Sequence, residues 1–188
     1  MISVLYTSPT STYRSIPNLD VYDKARDALT ATPTAPVIAH PPCRAWGRLR
    51  HFAKPEPNEH LLALHAVALV RTHGGVLEHP AHSSLWPHAN LPLPGDQPDS
   101  YGGWTLQLNQ HNLGHAALKP TWLYIVGSTS YPPIPNRRAK PTHAIRNGNK
   151  NLPLLSKAQR ENTPRQFAKW LIDLANRCIP PKDQSHAP

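Results

Sequence analysis

Acidic residues are scarce in this chain of 188: 11 Asp and Glu stand against 20 Lys and Arg, a net charge of +9 with all 12 histidines neutral. That balance points to a polyanionic partner, DNA ahead of RNA, or a nucleotide. Cysteine is scarcer still, with only Cys43 and Cys178. So few cysteines exclude a disulfide framework and, with no charged-then-apolar leader, lead us to expect a reduced, cytoplasmic protein whose Cys43 thiol is free. No run of about 18 apolar residues occurs, and no stretch pairs a basic face with a strongly apolar one, so membrane partners are excluded. Glycine numbers 9, and none precedes Gly47. Proline is the one abundant oddity, at 23 residues, and implies a folded but loop-rich chain. The length suits one domain, taken as 1–179, followed by a flexible tail over 180–188.

Along the chain, Ile2–Tyr6 is apolar and β-prone and stops at Pro9. A hydroxyl-rich loop follows to Pro17. The early acids and later cations of Asp20–Leu29 predict a short helix, with Asp20, Asp23 and Asp27 solvated. Ala35–Ile38 is a second strand, stopped by Pro41 and Pro42, which cannot donate to a ladder. Asn58 is placed to cap a helix reaching about His73, with Leu61, Leu64, Val67 or Ala68, and Arg71 at helical spacing; Gly74 and Gly75 close it. Val76–Pro80 is a third strand, so 35–80 forms a strand-helix-strand unit whose two strands run parallel. A long loop over 81–103 leads to 105–112, open between strand and irregular chain, and then to a strand over 121–127. A helical turn at Ser156–Arg160 precedes a final helix opened by Thr163-Pro164, with Phe167, Trp170, Leu171 and Leu174 on its buried face.

The chemistry concentrates where strands end. Ala39-His40-Pro41-Pro42-Cys43-Arg44 delivers a thiol at a strand's carboxyl end, the edge of an open α/β sheet where ligands bind. Glu78-His79-Pro80 ends the next strand, so Cys43 and Glu78 share that edge. The loop after Cys43 carries Arg44, Arg48, Arg50, His51 and Lys54 around Trp46 and Phe52, a pattern suited to phosphate neutralisation and base stacking. A second basic loop carries Arg137, Arg138, Lys140, His143, Arg146 and Lys150. Three histidine pairings, His40 with Cys43, His79 with His82, and His111 with His115, have spacings compatible with metal. Yet no second cysteine lies near Cys43 and no Glu directly follows the first His, so no metal site is assigned.

The order of the Pro-Pro-Cys loop, the Glu-His-Pro strand end and the Gln110-to-Trp122 segment, followed by a basic loop after Gly127, resembles the DNA (cytosine-5) methyltransferases over roughly 37–127. The chain is also similar to short proteins carried by bacteriophages and prophages, which would put it in a bacterial host's cytoplasm. The resemblance implies an α/β fold, a single Rossmann-like domain with a mainly parallel sheet and long proline-rich loops. It further implies a DNA base-modifying enzyme with Cys43 as nucleophile, Glu78 as base-binding carboxylate and, more loosely, Lys119 as the basic position. His40, Pro42, Arg44, Trp46, Arg48, His79, Ser83, Gln110 and His115 are then candidates for substrate contact. Arg50, Lys54, Arg137, Arg138, Lys140, Arg146 and Lys150 are candidates for the nucleic-acid backbone. Neighbouring Arg44, Arg48 or His40 would favour thiolate at Cys43. The family holds S-adenosylmethionine on a glycine-rich loop after its first strand; 4–17 has no glycine, so that cofactor is expected to bind weakly or not at all. The alternative is a non-catalytic nucleic-acid- or nucleotide-binding phage protein, of an anti-defence kind, that keeps the fold without methyl transfer.

Overall fold

A computed structural model describes residues 1–136, 139–145 and 151–179. Six strands, β1 (Ile2–Thr7), β2 (Leu19–Asp23), β3 (Val37–Ala39), β4 (Gly75–Pro80), β5 (Trp104–Asn109) and β6 (Pro120–Val126), form one mixed sheet. Its helices are α1 (Glu59–His73), α2 (Leu85–His88), α3 (Lys157–Glu161) and α4 (Arg165–Ala175). The strand order is β2-β1-β3-β4-β6-β5. The pairs among β2, β1, β3 and β4 are parallel, whereas β6 runs antiparallel to both β4 and β5.

Alternation along the central strands explains why they read as continuous apolar runs, since both faces are covered. Leu5, Val37, Ala39, Leu77 and Tyr124 point to the face that α1 covers with Ala63, Ala66, Val67 and Val70. Val4, Ile38, Val76, Leu123 and Ile125 point to the other, where α4 packs Phe167, Trp170, Leu171 and Leu174. The strand-helix-strand unit over 35–80 has the expected parallel pair, with Ile38 beside Val76. Among the described residues no helix is long and apolar enough to cross a membrane.

Four local expectations are corrected. The segment from Asp20 is not a helix: β2 pairs with β1 through Val4 and Val21, and only Ala28–Thr30 coils, as a 3-10 turn capped by Asp27. Nor is Asp23 solvated. It is buried, pairs with Arg14 and accepts from the backbone N–H groups of Ala25 and Arg26, a satisfaction supplied partly from another element. In α1 the small residues face the sheet while Leu61 is exposed, because close approach to β3 and β4 favours alanine. Asn58 precedes α1 in the left-handed region and makes no side-chain cap.

The long loop over 81–103 is ordered by joining the core on the α1 face of the sheet. It coils into α2, buries Leu85 and Trp86, and is pinned by Asp99, which accepts from Tyr124 Oη at 2.7 Å and pairs with Arg71. Gly103 passes directly over Tyr124; a Cβ there would lie 2.2 Å from the phenol oxygen.

Strand directions fix the site. Because β6 opposes β4, its beginning at Thr121 lies beside Pro80, and β5, opposed to β6, ends at the same edge with Asn109 beside Pro120. The ends of β3, β4 and β5 and the start of β6 therefore meet.

Candidate active site at the carboxyl edge of the sheet

After Ala39 the His40 N–H still bonds to the Leu5 carbonyl at 3.1 Å, and the two prolines then lift the chain off the sheet. Cys43 begins a tight turn in which its carbonyl accepts from Trp46 at 3.1 Å and Gly47 at 2.7 Å. The cysteine is free and exposed.

Beside it lies a buried polar chain. Tyr13, fully buried in the 3-10 turn at Thr12–Ser15 after β1, places its hydroxyl 3.0 Å from His40 Nε2. His40 Nδ1 is 3.2 Å from Glu78 Oε2, and Gln110 Nε2 donates to Glu78 Oε1 at 2.7 Å and to Thr121 Oγ1 at 3.0 Å. Thr121 in turn donates to the Lys119 carbonyl. Each element meeting at this edge thus contributes one link. Glu78 keeps only 11% of its side chain exposed, so a ligand can reach it from one side. An ionised carboxylate has about four lone-pair sites, and His40 and Gln110 engage two. The Gln110 carbonyl oxygen is buried and has no hydrogen-bond partner among the described residues.

The electrostatics follow from this arrangement. Burial pushes the Glu78 carboxyl up, but the His40 hydrogen bond and the charges of Lys119, His40 and His79 together outweigh it and hold the group at about 2. Glu78 is ionised at neutral pH. Burial pushes His79 down to about 4, against the pull of Glu78, so its ring is neutral. The Cys43 thiol is pushed up, first by the atoms crowding it and next by the Glu78 charge, with Lys119 offsetting part. This corrects the expectation of a thiolate favoured by neighbouring cations. Arg44 is spent on buried Glu59, with Nε donating at 2.9 Å, and His40 is spent on Glu78 and Tyr13.

Of the residues singled out in the sequence, Cys43, His40, Pro42, Glu78, His79, Gln110 and Lys119 come together at this edge. Others sit differently. Trp46 is buried, with its indole N–H donating to the His60 carbonyl, so it anchors the loop and offers no free face for a base. Ser83 is buried between His79 Nδ1, at 2.8 Å, and the Trp46 carbonyl. His115 is buried and binds the backbone of Ala117 through Nδ1. Arg48, Arg50, Lys54 and Lys140 are exposed. Arg137, Arg138, Arg146 and Lys150 lie outside the described residues, as does 180–188. Among the described residues no three His, Cys, Asp or Glu side chains converge as a metal site.

Tyr13 and Thr121 belong to the network without having been singled out. Tyr13 is the aromatic in an otherwise hydroxyl-rich loop, but only the adjacency of β1 and β3 reveals its target. The turn after β1 is closed by side chains: Thr7 Oγ1 donates to the Tyr22 carbonyl at 3.0 Å, and Tyr13 fills the space beside His40. Comparison with protein-family models, curated proteins and solved structures found no match for this chain.

Proposed function

We propose that the protein modifies a base of nucleic acid, DNA ahead of RNA, or of a nucleotide, with Cys43 as nucleophile and Glu78 as the carboxylate that holds the base. The observation that carries this reading is an exposed thiol beside a buried, ionised carboxylate with spare acceptor capacity, at the shared end of three strands. The parallel run from β2 to β4 supports a Rossmann-like reading of the fold, with the ligand at its carboxyl edge.

In the first step the Cys43 thiol gives its proton to solvent, the sulfur bonds to C6 of a pyrimidine, the C5–C6 π bond breaks, and its electron pair moves to C5, which takes up a proton from solvent. Glu78 accepts from the exocyclic amine of the base, and His40 and Gln110 keep the carboxylate from turning away. Lys119 offsets part of the upward shift that burial and the Glu78 charge impose on the thiol. In the resembled family S-adenosylmethionine would then provide a methyl group. The closed turn at Thr7 and Tyr13 does not fit that cofactor, and the addition to C6 needs none. A target inside a duplex would first leave the stack.

Mass spectrometry of nucleosides from DNA of cells expressing the protein tests the reading without assuming a donor. A new nucleoside that disappears with Cys43→Ser is expected; the same product from both proteins, or none from either, contradicts it. A second reading, binding without transfer, is favoured by the upward shift of the thiol. Under it, Cys43→Ser leaves nucleic-acid affinity unchanged and no modified nucleoside forms.

A further inference from the structure

We infer that Phe52 is the base-stacking residue of a single-stranded nucleic-acid contact, at the tip of the loop that carries Cys43. This rests on the proposed nucleic-acid substrate and gives it a strand form and a named contact. The loop is anchored at its base and free at its tip. Trp46 is buried, with its indole bonded to α1 and its carbonyl accepting from the Ser84 N–H at 2.9 Å. Beyond it the chain turns through Arg50–Phe52 as a 3-10 turn, leaving Phe52 87% and Leu49 57% exposed. One bare phenyl ring is ordinary on a protein surface; what gives Phe52 a role is its place at the tip of the Cys43 loop and the charges around it.

The charges around it select that partner. Arg14, Arg26, Arg44 and Arg71 are each paired with an acid on this molecule. Arg48, Arg50 and Lys54, which flank Phe52, are exposed and have no acidic partner among the described residues. Three unneutralised cations around a bare aromatic match a strand whose phosphates are anionic and whose unstacked bases present π faces. A closed duplex offers its phosphates but no free base face. Single strands are therefore preferred.

The test uses the full chain carrying Cys43→Ser, so that no covalent product forms, and a fluorescein-labelled oligonucleotide of about 20 nucleotides, single-stranded or annealed to its complement. Fluorescence anisotropy should show tighter binding to the single strand, with a log-log salt slope near −2 for about three phosphate contacts. Phe52→Ala should weaken it about tenfold, close to 1.4 kcal/mol, while Phe52→Trp restores it. Because Phe52 is exposed, neither change should move the melting temperature. Binding unchanged in Phe52→Ala with the salt slope intact overturns the role of Phe52 and leaves the nucleic-acid reading standing. No binding of either oligonucleotide defeats that underlying reading as well. Phe52-dependent binding to vesicles of anionic phospholipid, without oligonucleotide binding, assigns the tip to a membrane surface and overturns the inference.

Discussion

The two ends of the central sheet carry one cysteine each, and their surroundings could hardly differ more. At the carboxyl ends of β3 and β4, Cys43 is exposed beside ionised Glu78 and a chain of polar side chains. At the opposite end, Cys178 is buried after α4, its thiol bonded to the Leu174 carbonyl and pushed by burial up to about 11. Packing there is backbone on backbone. A Cβ on Gly75 would lie 2.0 Å from the Val37 carbonyl oxygen, and one on Gly127 would lie 2.2 Å from that of Ile179. One end of the sheet is held by close backbone contacts and apolar side chains, and the other concentrates groups whose hydrogen-bonding capacity is not exhausted. Parallel strands explain the division, because all three loops that follow β3, β4 and β5 emerge on the same side.

The closed end should break most completely. Gly75 sits at φ +120° with no room for a side chain, so Gly75→Val should cost more than about 4 kcal/mol and leave little soluble protein. Recovery of a folded variant with native melting would show that this end tolerates separation of β3 from β4.

At the open end the largest expected effect belongs to Glu78. Replacing it by Leu strands the His40 and Gln110 donors in a buried site and should destabilise by about 3–5 kcal/mol, measured by urea unfolding. Glu78→Gln preserves shape and should cost less, about 1–3 kcal/mol. The same network sets a pH dependence. His79 titrates near 4 when folded against 6.5 when unfolded, so its contribution is present above pH 6.5 and fades between 6.5 and 4. Glu78, at about 2 against 4.5, contributes above pH 4.5, and this is lost as pH falls toward 2. Melting temperature should therefore decline in two stages on acidification, with His79→Gln reducing the upper one, to which His65, His73 and His115, also lowered by burial, contribute the remainder. A flat profile between pH 7 and 4 would place His79 in a solvated setting.

The smallest effect sharpens the comparison most cleanly, since it is the same substitution at both ends. Cys43→Ser should leave stability within about 0.5 kcal/mol, whereas Cys178→Ser, which buries a hydroxyl in an apolar cluster, should cost about 1–3 kcal/mol. In the native protein a thiol reagent should modify Cys43 and spare Cys178 until denaturant is added. Equal reactivity would erase the distinction between the two ends.

The sequence made the strands and the edge readable for a physical reason. Runs such as Val37–Ala39 and Thr121–Val126 are buried on both faces and end at prolines or glycines, so their positions and their chemical ends show directly. What escaped was whatever depends on partners distant in the chain. Asp23 looks solvated until Arg14 is placed beside it, and Arg44 looks free until Glu59 is. Trp46 and Phe52 share one basic loop with similar local context, yet tertiary packing buries the first and leaves the second bare. The short segment after Leu19 carries helix-like charge order but gains more by pairing at the edge of β1.

The central claim is that the Cys43 sulfur adds to a pyrimidine held by Glu78. Addition of a thiol across C5–C6 and its reversal exchange the C5 hydrogen with solvent, whatever group is later transferred. Mass spectrometry of a single-stranded oligonucleotide carrying deuterium at C5 of cytosine reads this directly. The account predicts loss of deuterium with the wild-type protein, and retention at the buffer rate with Cys43→Ser and with folded Glu78→Gln. Retention with the wild type, or equal loss with Cys43→Ser, would contradict it.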